Sequence, residues 1–493
     1  MNAILNALAH HARQTPEKLA FFGHDAQQNP HSLTYQQLAE QVDWVAEQLR
    51  RLAPQCIALR AENSLDWVVV DLAAMQAGIA IVPVPTFFSD TQTQHTLLAS
   101  GADLLIGDWP GQGDEIEELS HLSVRRNPFA VHAERLAGTS KITFTSGSTG
   151  APKGVCLSNT NLTNVTTALA AKMDAHHKTH LVLLPLSTLL ENITGIYVPL
   201  LAGVTSTIFC GPHVGLTGSS QFDATALASA LARYQPASLV LTPALLMALI
   251  HIIQAQPVLA KPLRFVAVGG ARVAPELMQT AHQLSIPAYE GYGLSECASV
   301  VSLNTPHAFR PGSCGQVLEH VEIRVDKSGE LLVRGNIALG YLGEPFQQTW
   351  LPTGDLAAID TDGFVHLMGR KKNQIITSYG RNISPEWIES QAQIFLPGST
   401  LIVTGDAEAS LTAVTTRQPS LEEKIVQLNA TLPDYARIGR LIVVNDLRQR
   451  PDWFTDNGRP KRQHIEAWVK QLAPVTPQPN IEIRTLANAE SNR

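Results

Sequence analysis

The spacing of apolar residues predicts helices that alternate with short strands along most of the chain. Apolar residues recur at helical spacing between positions 38 and 49, and Thr34 with Gln37 forms a capping box where that helix would begin. Short apolar runs typical of buried strands lie at Ile57–Leu59, Ile79–Val84, Leu104–Ile106, Leu239–Thr242 and Phe265–Val268, and alternating apolar and polar residues predict a further strand at Lys141–Thr145. This alternation predicts an α/β fold with mostly parallel sheets that are covered on both faces.

The pattern changes towards the C-terminus. Between about 310 and 370, short alternating strands at Val321–Val325, Glu330–Arg334 and Phe364–Met368 predict a small β subdomain. We place a domain boundary near Lys372, so that residues 1–371 form a large N-terminal domain and residues 372–472 form a small α/β domain. Residues 473–493 form a polar tail that we expect to be poorly ordered.

The predicted C-terminal domain has its own start signals and strands. Ser384 and Pro385 suit the N-cap and the first turn of a helix, and Ser420 with Glu423 forms a second capping box. Its predicted strands are Leu401–Thr404, Leu411–Thr415 and Leu441–Val444.

Bulk properties narrow the class of protein. The formal net charge of −7 over 493 residues, without a long basic run, argues against nucleic acid as a partner. Five scattered cysteines lack CxxC spacing and predict reduced thiols in a cytoplasmic protein. The N-terminus lacks the basic head and apolar run of a signal peptide. The apolar stretch 181–209 is interrupted by Pro185, Glu191 and Pro199, so we expect buried α/β structure and no integral membrane segment.

A hydroxyl- and glycine-rich segment at 143–154 has the chemistry of a phosphate-binding loop. It fails the Walker pattern, because Lys153 follows a proline and precedes Gly154. Hydroxyl donors and flexible backbone are supplied by Thr145, Ser146, Gly147, Ser148 and Thr149. The residue types alone leave open a flexible surface loop or a loop that holds nucleotide phosphates.

Four further motifs follow in the chain. They are GYGLSE at 291–296, TGDL at 353–356, GRKKN at 369–373 and NGRPKR at 457–462. Together with the loop they resemble the acyl-adenylating (AMP-binding) enzyme superfamily, which includes acyl-CoA synthetases, luciferases and the adenylation domains of peptide synthetases. The resemblance spans roughly residues 10 to 470, and the segment Ile376–Glu386 is most similar to long-chain acyl-CoA synthetases.

This resemblance implies a two-step reaction. A carboxylic acid, fatty or otherwise apolar, would react with ATP and Mg²⁺ to give acyl-AMP and pyrophosphate, and the acyl group would then pass to CoA. A C-terminal lid that rotates about a hinge near Lys372 would separate the two steps. Two alternatives stay open: an acyl-AMP ligase that loads the phosphopantetheine of an acyl carrier protein, and a nucleotide-binding protein with impaired catalysis. The lack of an evident Asp to bind an amino group disfavours an amino acid substrate.

The resemblance also assigns residues to the phosphates and the metal. Lys153 and the loop 145–149 would hold the β- and γ-phosphates, and Ser295 would donate to the α-phosphate. Glu296, together with Thr145, would bind Mg²⁺, which favours carboxylate and phosphate oxygens. Taken alone, Glu296 fits an ordinary surface position equally well.

A second group would hold the nucleoside. Asp355 would accept hydrogen bonds from the ribose hydroxyls, and Arg370 would contact ribose or phosphate. Without the other motifs, the segment around Asp355 fits an ordinary turn, and Arg370 fits a solvated basic face. The base would lie in a slot, with Tyr292 stacking on it. The slot residues are Gly269, Gly270, Ala271, Glu290, Gly291, Tyr292 and Gly293.

The chain departs from the family pattern at the C-terminal lysine that reaches the α-phosphate. That lysine normally follows a Thr-x-x-Gly frame, but here Thr455–Gly458 is followed by Arg459, and the next lysine is Lys461. Either residue could supply the charge, although an Arg and a Lys are not interchangeable at a bidentate site. Our hypothesis is that Arg459 carries the role, because the register then fits without a gap.

Two other features bear on the acid and on metals. Ser187 and Thr188 stand where many members of the family have an aromatic or histidine gate, which predicts a more open or more polar mouth of the acyl pocket.

His176, His177 and His180 have zinc-like spacing, but without a third ligand motif we favour a solvated loop.

Overall fold

The computed structural model describes residues 2–111, 113–145, 152–173, 178–218, 221–378, 381–447, 450–454, 460–472 and 481–486. Its α-helices are α1 (Ala3–Gln14), α2 (Tyr35–Leu52), α3 (Leu65–Ala77), α4 (Asp90–Ser100), α5 (Asn159–Ala170), α6 (Leu189–Asn192), α7 (Val198–Ala202), α8 (Gly211–Val214), α9 (Ala224–Tyr234), α10 (Pro243–Ala255), α11 (Pro275–Gln283), α12 (Pro385–Phe395), α13 (Leu421–Thr431) and α14 (Arg462–Gln471). A π-helical turn, Ile193–Tyr197, joins α6 to α7.

The strands before residue 310 are β1 (Leu19–His24), β2 (Pro30–Thr34), β3 (Cys56–Arg60), β4 (Ala80–Pro83), β5 (Leu104–Gly107), β6 (Glu115–Leu119), β7 (Leu122–Arg126), β8 (Thr139–Thr145), β9 (Lys153–Ser158), β10 (Thr179–Leu181), β11 (Thr205–Ile208), β12 (Leu216–Thr217), β13 (Gln221–Phe222), β14 (Ser238–Leu241), β15 (Phe265–Val268), β16 (Ala288–Tyr292) and β17 (Ser302–Leu303).

The later strands are β18 (Gln316–Val317), β19 (Val321–Val325), β20 (Glu330–Gly335), β21 (Gly340–Tyr341), β22 (Glu344–Pro345), β23 (Leu351–Ile359), β24 (Val365–Arg370), β25 (Ile375–Ile376), β26 (Asn382–Ile383), β27 (Leu401–Thr404), β28 (Leu411–Thr416), β29 (Ile438–Val444) and β30 (Ile481–Thr485).

Two large sheets form the N-terminal part. The first has the order β18-β17-β16-β15-β14-β10-β11-β1-β2, and its six inner strands from β16 to β1 are parallel. The second has the order β22-β21-β9-β8-β4-β3-β5-β7-β6, with parallel pairing from β8 through β5. Helices cover these sheets, so the predicted α/β class and the mostly parallel interior are confirmed; the antiparallel strands lie at the edges.

Two smaller sheets follow. The strands β19-β20-β23-β24 form an antiparallel sheet within the region predicted as a β subdomain. The strands β27-β28-β29-β30 form the sheet of the C-terminal part, where α12 and α13 pack. The pair β21–β22 also lies within 310–370, but β21 joins the second large sheet by pairing with β9. This pairing carries Tyr341 to the predicted phosphate loop.

The helix-start signals give a mixed result. Thr34 and Gln37 form both hydrogen bonds of the predicted capping box, and Ser384 caps α12 with Pro385 in the first turn. The box predicted at Ser420 is wrong: Ser420 has φ +51° and its side chain makes no capping hydrogen bond. The left-handed backbone there differs from the extended backbone that an N-cap side chain requires.

The predicted poorly ordered tail is also wrong in part. Ile481–Thr485 forms β30, which pairs antiparallel with β29 along its whole length. Ile481 and Ile483 occupy alternate positions of β30 and pack against the core beneath β29. The prediction was based only on the polar composition of residues 473–493.

A buried polar network joins β8 of the second large sheet to α3, α6 and the π-helical turn. The Lys141 ammonium on β8 donates to Asp71 Oδ1 at 2.6 Å and to the Tyr197 hydroxyl at 2.7 Å, and it also bonds Asn192. The Tyr197 hydroxyl donates to Asp71 Oδ2 at 2.5 Å. The network thus joins α3, β8 and the π-helical turn, four residues before the end of β8 at Thr145.

No helix among the described residues is long and apolar enough to cross a membrane.

Candidate functional site

One large cleft of about 2010 Å³ collects the predicted site residues. Both large sheets, the β19–β24 sheet and the C-terminal part contribute to its walls. The cleft is lined by Thr145, Lys153, Gly269, Gly270, Ala271, Glu290, Gly291, Tyr292, Gly293, Ser295, Glu296, Asp355, Arg370 and Lys461. The predicted residues Ser146, Gly147, Ser148, Thr149 and Arg459 lie outside the described residues.

The topology explains why these residues meet. The loops that follow β15 and β16 lie at the carboxyl ends of neighbouring parallel strands, which is where open α/β sheets bind ligands. The segment 146–152 connects β8 to β9, which pair antiparallel with Thr145 opposite Lys153. The predicted phosphate loop therefore connects the two strands of an antiparallel hairpin and does not lead into a helix as a Walker loop would.

Lys153 and Glu296 are linked through Tyr341. The Lys153 ammonium lies 4.7 Å from the centroid of the Tyr341 ring, a cation–π contact. The Tyr341 hydroxyl donates to Glu296 Oε1 at 2.8 Å. Burial and the nearby Glu296 carboxylate raise the pKa of Tyr341, so the phenol stays protonated as the donor. No motif in the sequence points to Tyr341, because only the pairing of β21 with β9 brings it here.

Asp355 is the centre of a second group. It accepts hydrogen bonds from the Tyr292 hydroxyl at 2.6 Å and forms an ion pair with Arg370 Nε at 2.8 Å. Burial raises the pKa of Asp355, and the Arg370 guanidinium opposes that rise. Each carboxylate oxygen keeps a lone pair, so the predicted role towards ribose hydroxyls stays compatible with these contacts. The hydrogen bond to Asp355 also holds Tyr292 in place, and the predicted stacking of Tyr292 on a base would involve only its ring.

The loop after β15 and the end of β16 form the predicted base slot. Gly270 has φ +82°, a conformation that favours glycine, and a side chain at Gly293 would collide with the Ser299 carbonyl oxygen. Glu290 is buried, which raises its pKa to about 7, and its carboxylate accepts a weak hydrogen bond from the Cys314 thiol at 3.6 Å. Arg272, which the sequence analysis passed over, lines the cleft directly after Ala271.

The C-terminal part closes one side of the cleft. Lys461 precedes α14 and its backbone N–H donates to the Trp453 carbonyl at 2.6 Å, while Arg462 forms a bidentate ion pair with Glu389 on α12. A hydrogen bond of 3.0 Å from Gln391 Nε2 to Glu276 Oε2 connects α12 to α11 of the N-terminal part. The 3₁₀ turn Lys371–Asn373 lies at the predicted hinge.

An apolar branch leaves the cleft between the first sheet and the π-helical turn. It passes Ser187 and Thr188 and follows β14 and β15 from their carboxyl ends to their amino ends. Its walls include Leu189, Leu190, Thr194, Val198, Val240, Ala267 and Phe265. Phe265 and Val268, at the two ends of β15, both line the cleft, so at about 3.3 Å per residue the lining extends roughly 10 Å along the strand. In the π-helical turn, Ile193 and Ile196 pack in the core, and Tyr197 belongs to the network around Lys141.

The far end of this branch contains His180. Its Nδ1 lies 2.9 Å from the Ser238 hydroxyl, and its Nε2 lies 3.8 Å from Glu191 Oε1. The described part of the chain holds no group of three His, Cys, Asp or Glu side chains arranged for a metal ion. His176 and His177 lie outside the described residues.

The chemistry of the cleft fits Mg²⁺ that arrives with a nucleotide. Mg²⁺ usually takes one or two protein carboxylates and completes its octahedral shell with phosphate oxygens and water. Glu296 supplies such a carboxylate, held in place by Tyr341, and Thr145 supplies a hydroxyl on the same cleft.

Comparisons with known proteins agree with this arrangement. The long-chain-fatty-acid–CoA ligase FadD15 of Mycobacterium bovis is 33% identical over 210 residues, which are 41% of this chain and 32% of FadD15. The match thus spans about a third of that relative's length. The mitochondrial medium-chain acyl-CoA ligase ACSF2 of Macaca fascicularis is 25% identical over 460 residues, covering 77% of this chain and 72% of ACSF2.

Solved structures share the fold. The o-succinylbenzoate CoA synthetase MenE of Bacillus subtilis, solved in complex with the acyl-adenylate intermediate OSB-AMP, superposes with a TM-score of 0.75. The alignment covers 94% of this chain and 98% of MenE, at 21% sequence identity. At that identity the likeness concerns the fold. Residues 8–342, which carry the β8–β9 loop, the base slot and Glu296, match the AMP-binding enzyme family over more than half of the chain, and the protein belongs to that family.

Proposed function

We propose that the protein is an ATP-dependent acid–thiol ligase that adenylates an apolar carboxylic acid and transfers the acyl group to CoA. One observation carries this proposal: the cations Lys153 and Arg370 line the same cleft as the apolar branch along β14 and β15. Nucleotide and acyl chain would therefore meet at the carboxyl ends of β14 to β16. The CoA ligases among the relatives support CoA as the acceptor.

In the first step, a carboxylate oxygen forms a bond to the α-phosphorus of ATP, and the bond from that phosphorus to the bridging oxygen breaks. Pyrophosphate leaves with the electron pair. The two anions repel each other, so fixed positive charge and hydrogen-bond donors lower the barrier. Lys153 supplies charge on the phosphate side, Ser295 supplies a donor, and Arg370 lies beside the ribose position. Mg²⁺ held by Glu296 would neutralise the phosphate charge.

In the second step, the thiol sulfur attacks the acyl carbonyl and AMP leaves. This step needs access for a thiol, so we propose that the part after the turn Lys371–Asn373 moves between the two steps. The hydrogen bond from Gln391 to Glu276 is one contact that such a movement would break.

The apolar branch supports a fatty acid over a compact aromatic acid. Ligand pockets are mostly apolar with few polar groups, and the branch follows that description over roughly 10 Å. Ser187 and Thr188 at its mouth leave space where a bulky side chain would narrow it.

The test is ATP–pyrophosphate exchange against fatty acids of rising length, aryl acids and amino acids. We expect exchange with fatty acids and none in a Lys153→Met variant, with Lys327→Met, at an exposed lysine outside the cleft lining, as the matched control. Arg459→Lys is measured beside the parent. If both stay silent with every acid although ATP binds, the protein is a nucleotide-binding protein, and the ligase proposal is wrong. Faster turnover with an acidic carrier protein than with CoA would reassign the acceptor.

A further inference from the structure

His180 lies at the far end of the apolar branch and has an unpartnered ring nitrogen. It belongs to β10, where it pairs with Ser238 of β14, and both residues line the cleft. His180 is only 3% exposed, and its Nε2 has no hydrogen-bond partner among the described residues. A buried polar atom without a partner costs free energy, so we expect this end of the branch to receive a polar group.

The side chains around His180 hold the ring but leave Nε2 unsatisfied. The Nδ1 atom lies 2.9 Å from the Ser238 hydroxyl, whereas Nε2 lies 3.8 Å from Glu191 Oε1, beyond hydrogen-bond distance. Glu191 is fully buried, and its Oε1 accepts a hydrogen bond from the Leu183 backbone N–H at 3.2 Å. Its Oε2 has no partner among the described residues. Two neighbouring buried side chains therefore each keep one polar atom that the other does not satisfy.

This polar end is remote from the place where the acid would react. In the proposed function, adenylation occurs at the carboxyl ends of β14 to β16, whereas Ser238 is the first residue of β14. The first and last residues of this strand lie roughly 10 Å apart, at about 3.3 Å per residue. Along that distance the cleft is lined by Val240, Ala267 and Phe265, which are apolar. A group that reaches His180 must therefore stand near the far end of an apolar chain.

A hydroxyl group fits this position best. Nε2 of a neutral ring accepts or donates according to the tautomer, and a hydroxyl group can pair with it in either case. An ammonium group only donates, and a keto oxygen only accepts. The charged end of a dicarboxylic acid would lose its water beside the buried Glu191. Lys172, which also lines the cleft, is already paired with Glu319 at 3.3 Å.

We propose that the acid substrate is a fatty acid with a hydroxyl group at or near the end of its chain, and that His180 Nε2 forms a hydrogen bond with this hydroxyl group. The inference rests on the proposed function, because it takes the apolar branch to hold the acyl chain. It makes His180 a specificity-determining residue, which Ser238 holds in position.

The test compares acids that differ only in their terminal group. ATP–pyrophosphate exchange with the full chain is measured for octanoate, decanoate and dodecanoate, each unsubstituted, with a terminal hydroxyl group and as the dicarboxylic acid. At the best chain length, we expect kcat/KM to be about tenfold higher or more for the hydroxylated acid than for the unsubstituted acid, which leaves Nε2 buried without a partner. His180→Leu should remove this preference and improve exchange with the unsubstituted acid.

His251→Leu is the matched control, since His251 is exposed on α10 and lies outside the cleft lining. If His180→Leu does not fold, His180→Asn takes its place, because its shorter side chain can still bond to Ser238 but does not reach the position of Nε2. Equal rates for hydroxylated and unsubstituted acids overturn the inference while the ligase proposal stands. A preference for the dicarboxylic acids, or a hydroxyl preference that persists in the His180 variant, has the same consequence. Absence of exchange with every acid overturns the ligase proposal and this inference together.

Discussion

The hydroxyl of Tyr341 donates a 2.8 Å hydrogen bond to Oε1 of Glu296, although 45 residues separate the two in sequence. The same ring lies under the Lys153 ammonium. Tyr341 therefore connects the residue proposed for the metal to the residue proposed for the phosphates. A side chain in this position fixes the carboxylate before the nucleotide arrives, which lowers the cost of ordering the site.

Replacing Tyr341 by Phe tests this connection. The variant keeps the ring beneath Lys153 but loses the hydrogen bond to Glu296. Since a hydrogen bond to a charged group contributes about 1.5–3 kcal/mol, we expect exchange to slow about tenfold or more and to need more Mg²⁺. Exchange rates across a Mg²⁺ titration give the measurement. Tyr435→Phe, at an exposed tyrosine, is the control, and an unchanged Mg²⁺ requirement in Tyr341→Phe would refute the role.

The sequence predicted those parts of the protein that depend on local patterns. Six strands of the large sheets and the cap at Thr34 follow from local spacing, and the residues around the cleft follow from the resemblance of short motifs to the family. Tyr341 and Arg272 were missed for a physical reason. The pairing of β21 with β9 brings Tyr341 to the cleft, and Arg272 stands out through a buried Nη1 that has no hydrogen-bond partner among the described residues; neither feature is visible in the neighbouring sequence.

The two wrong predictions, the capping box at Ser420 and the poorly ordered tail, have the same origin. Ser420 has the composition of a cap, but the turn before α13 places it in a left-handed conformation. Ile481–Thr485 looks like part of a polar tail, yet the open edge of β29 offers it a full ladder of hydrogen bonds. Tertiary partners decided both cases, and local composition did not.

Breaking the buried pair of Lys141 and Asp71 should destabilise the protein strongly. Lys141→Met leaves the Asp71 carboxylate buried without its cation, which costs about 3–5 kcal/mol in comparable cases. Adding Asp71→Asn removes the uncompensated charge and should recover part of that loss. Urea unfolding measures both variants. The control is Lys172→Met, which breaks an exposed pair with Glu319 and should cost less than about 1 kcal/mol. Equal costs for Lys141→Met and Lys172→Met would contradict the assignment.

The source of the adenylation charge can be decided by two alanine variants. If Arg459 carries the role, Arg459→Ala should slow exchange on the order of 10²–10³-fold, as the loss of one oxyanion donor does. Lys461→Ala should then change it little. Lys461 lines the cleft, so a selective loss in Lys461→Ala has a structural explanation and would reject the hypothesis for Arg459. Measuring the thioester-forming step with preformed acyl-AMP shows whether either loss is confined to adenylation.

The buried carboxyl of Glu290 should make stability depend on pH in a defined direction. Its pKa is about 7 in the folded protein, and the ordinary value near 4.5 applies when the chain unfolds. A raised pKa means that the contribution of Glu290 to stability is complete below about pH 4.5 and is lost as the pH rises through 7. Glu290→Gln cannot ionise, so its stability relative to the parent should increase across that interval and then level off. The full difference is about 3 kcal/mol, because one pKa unit corresponds to about 1.4 kcal/mol.

Urea unfolding at several pH values measures the stability difference between Glu290→Gln and the parent. The control is Glu118→Gln, which replaces an exposed carboxyl on β6. A difference between Glu290→Gln and the parent that stays constant with pH would show that Glu290 does not titrate in this interval.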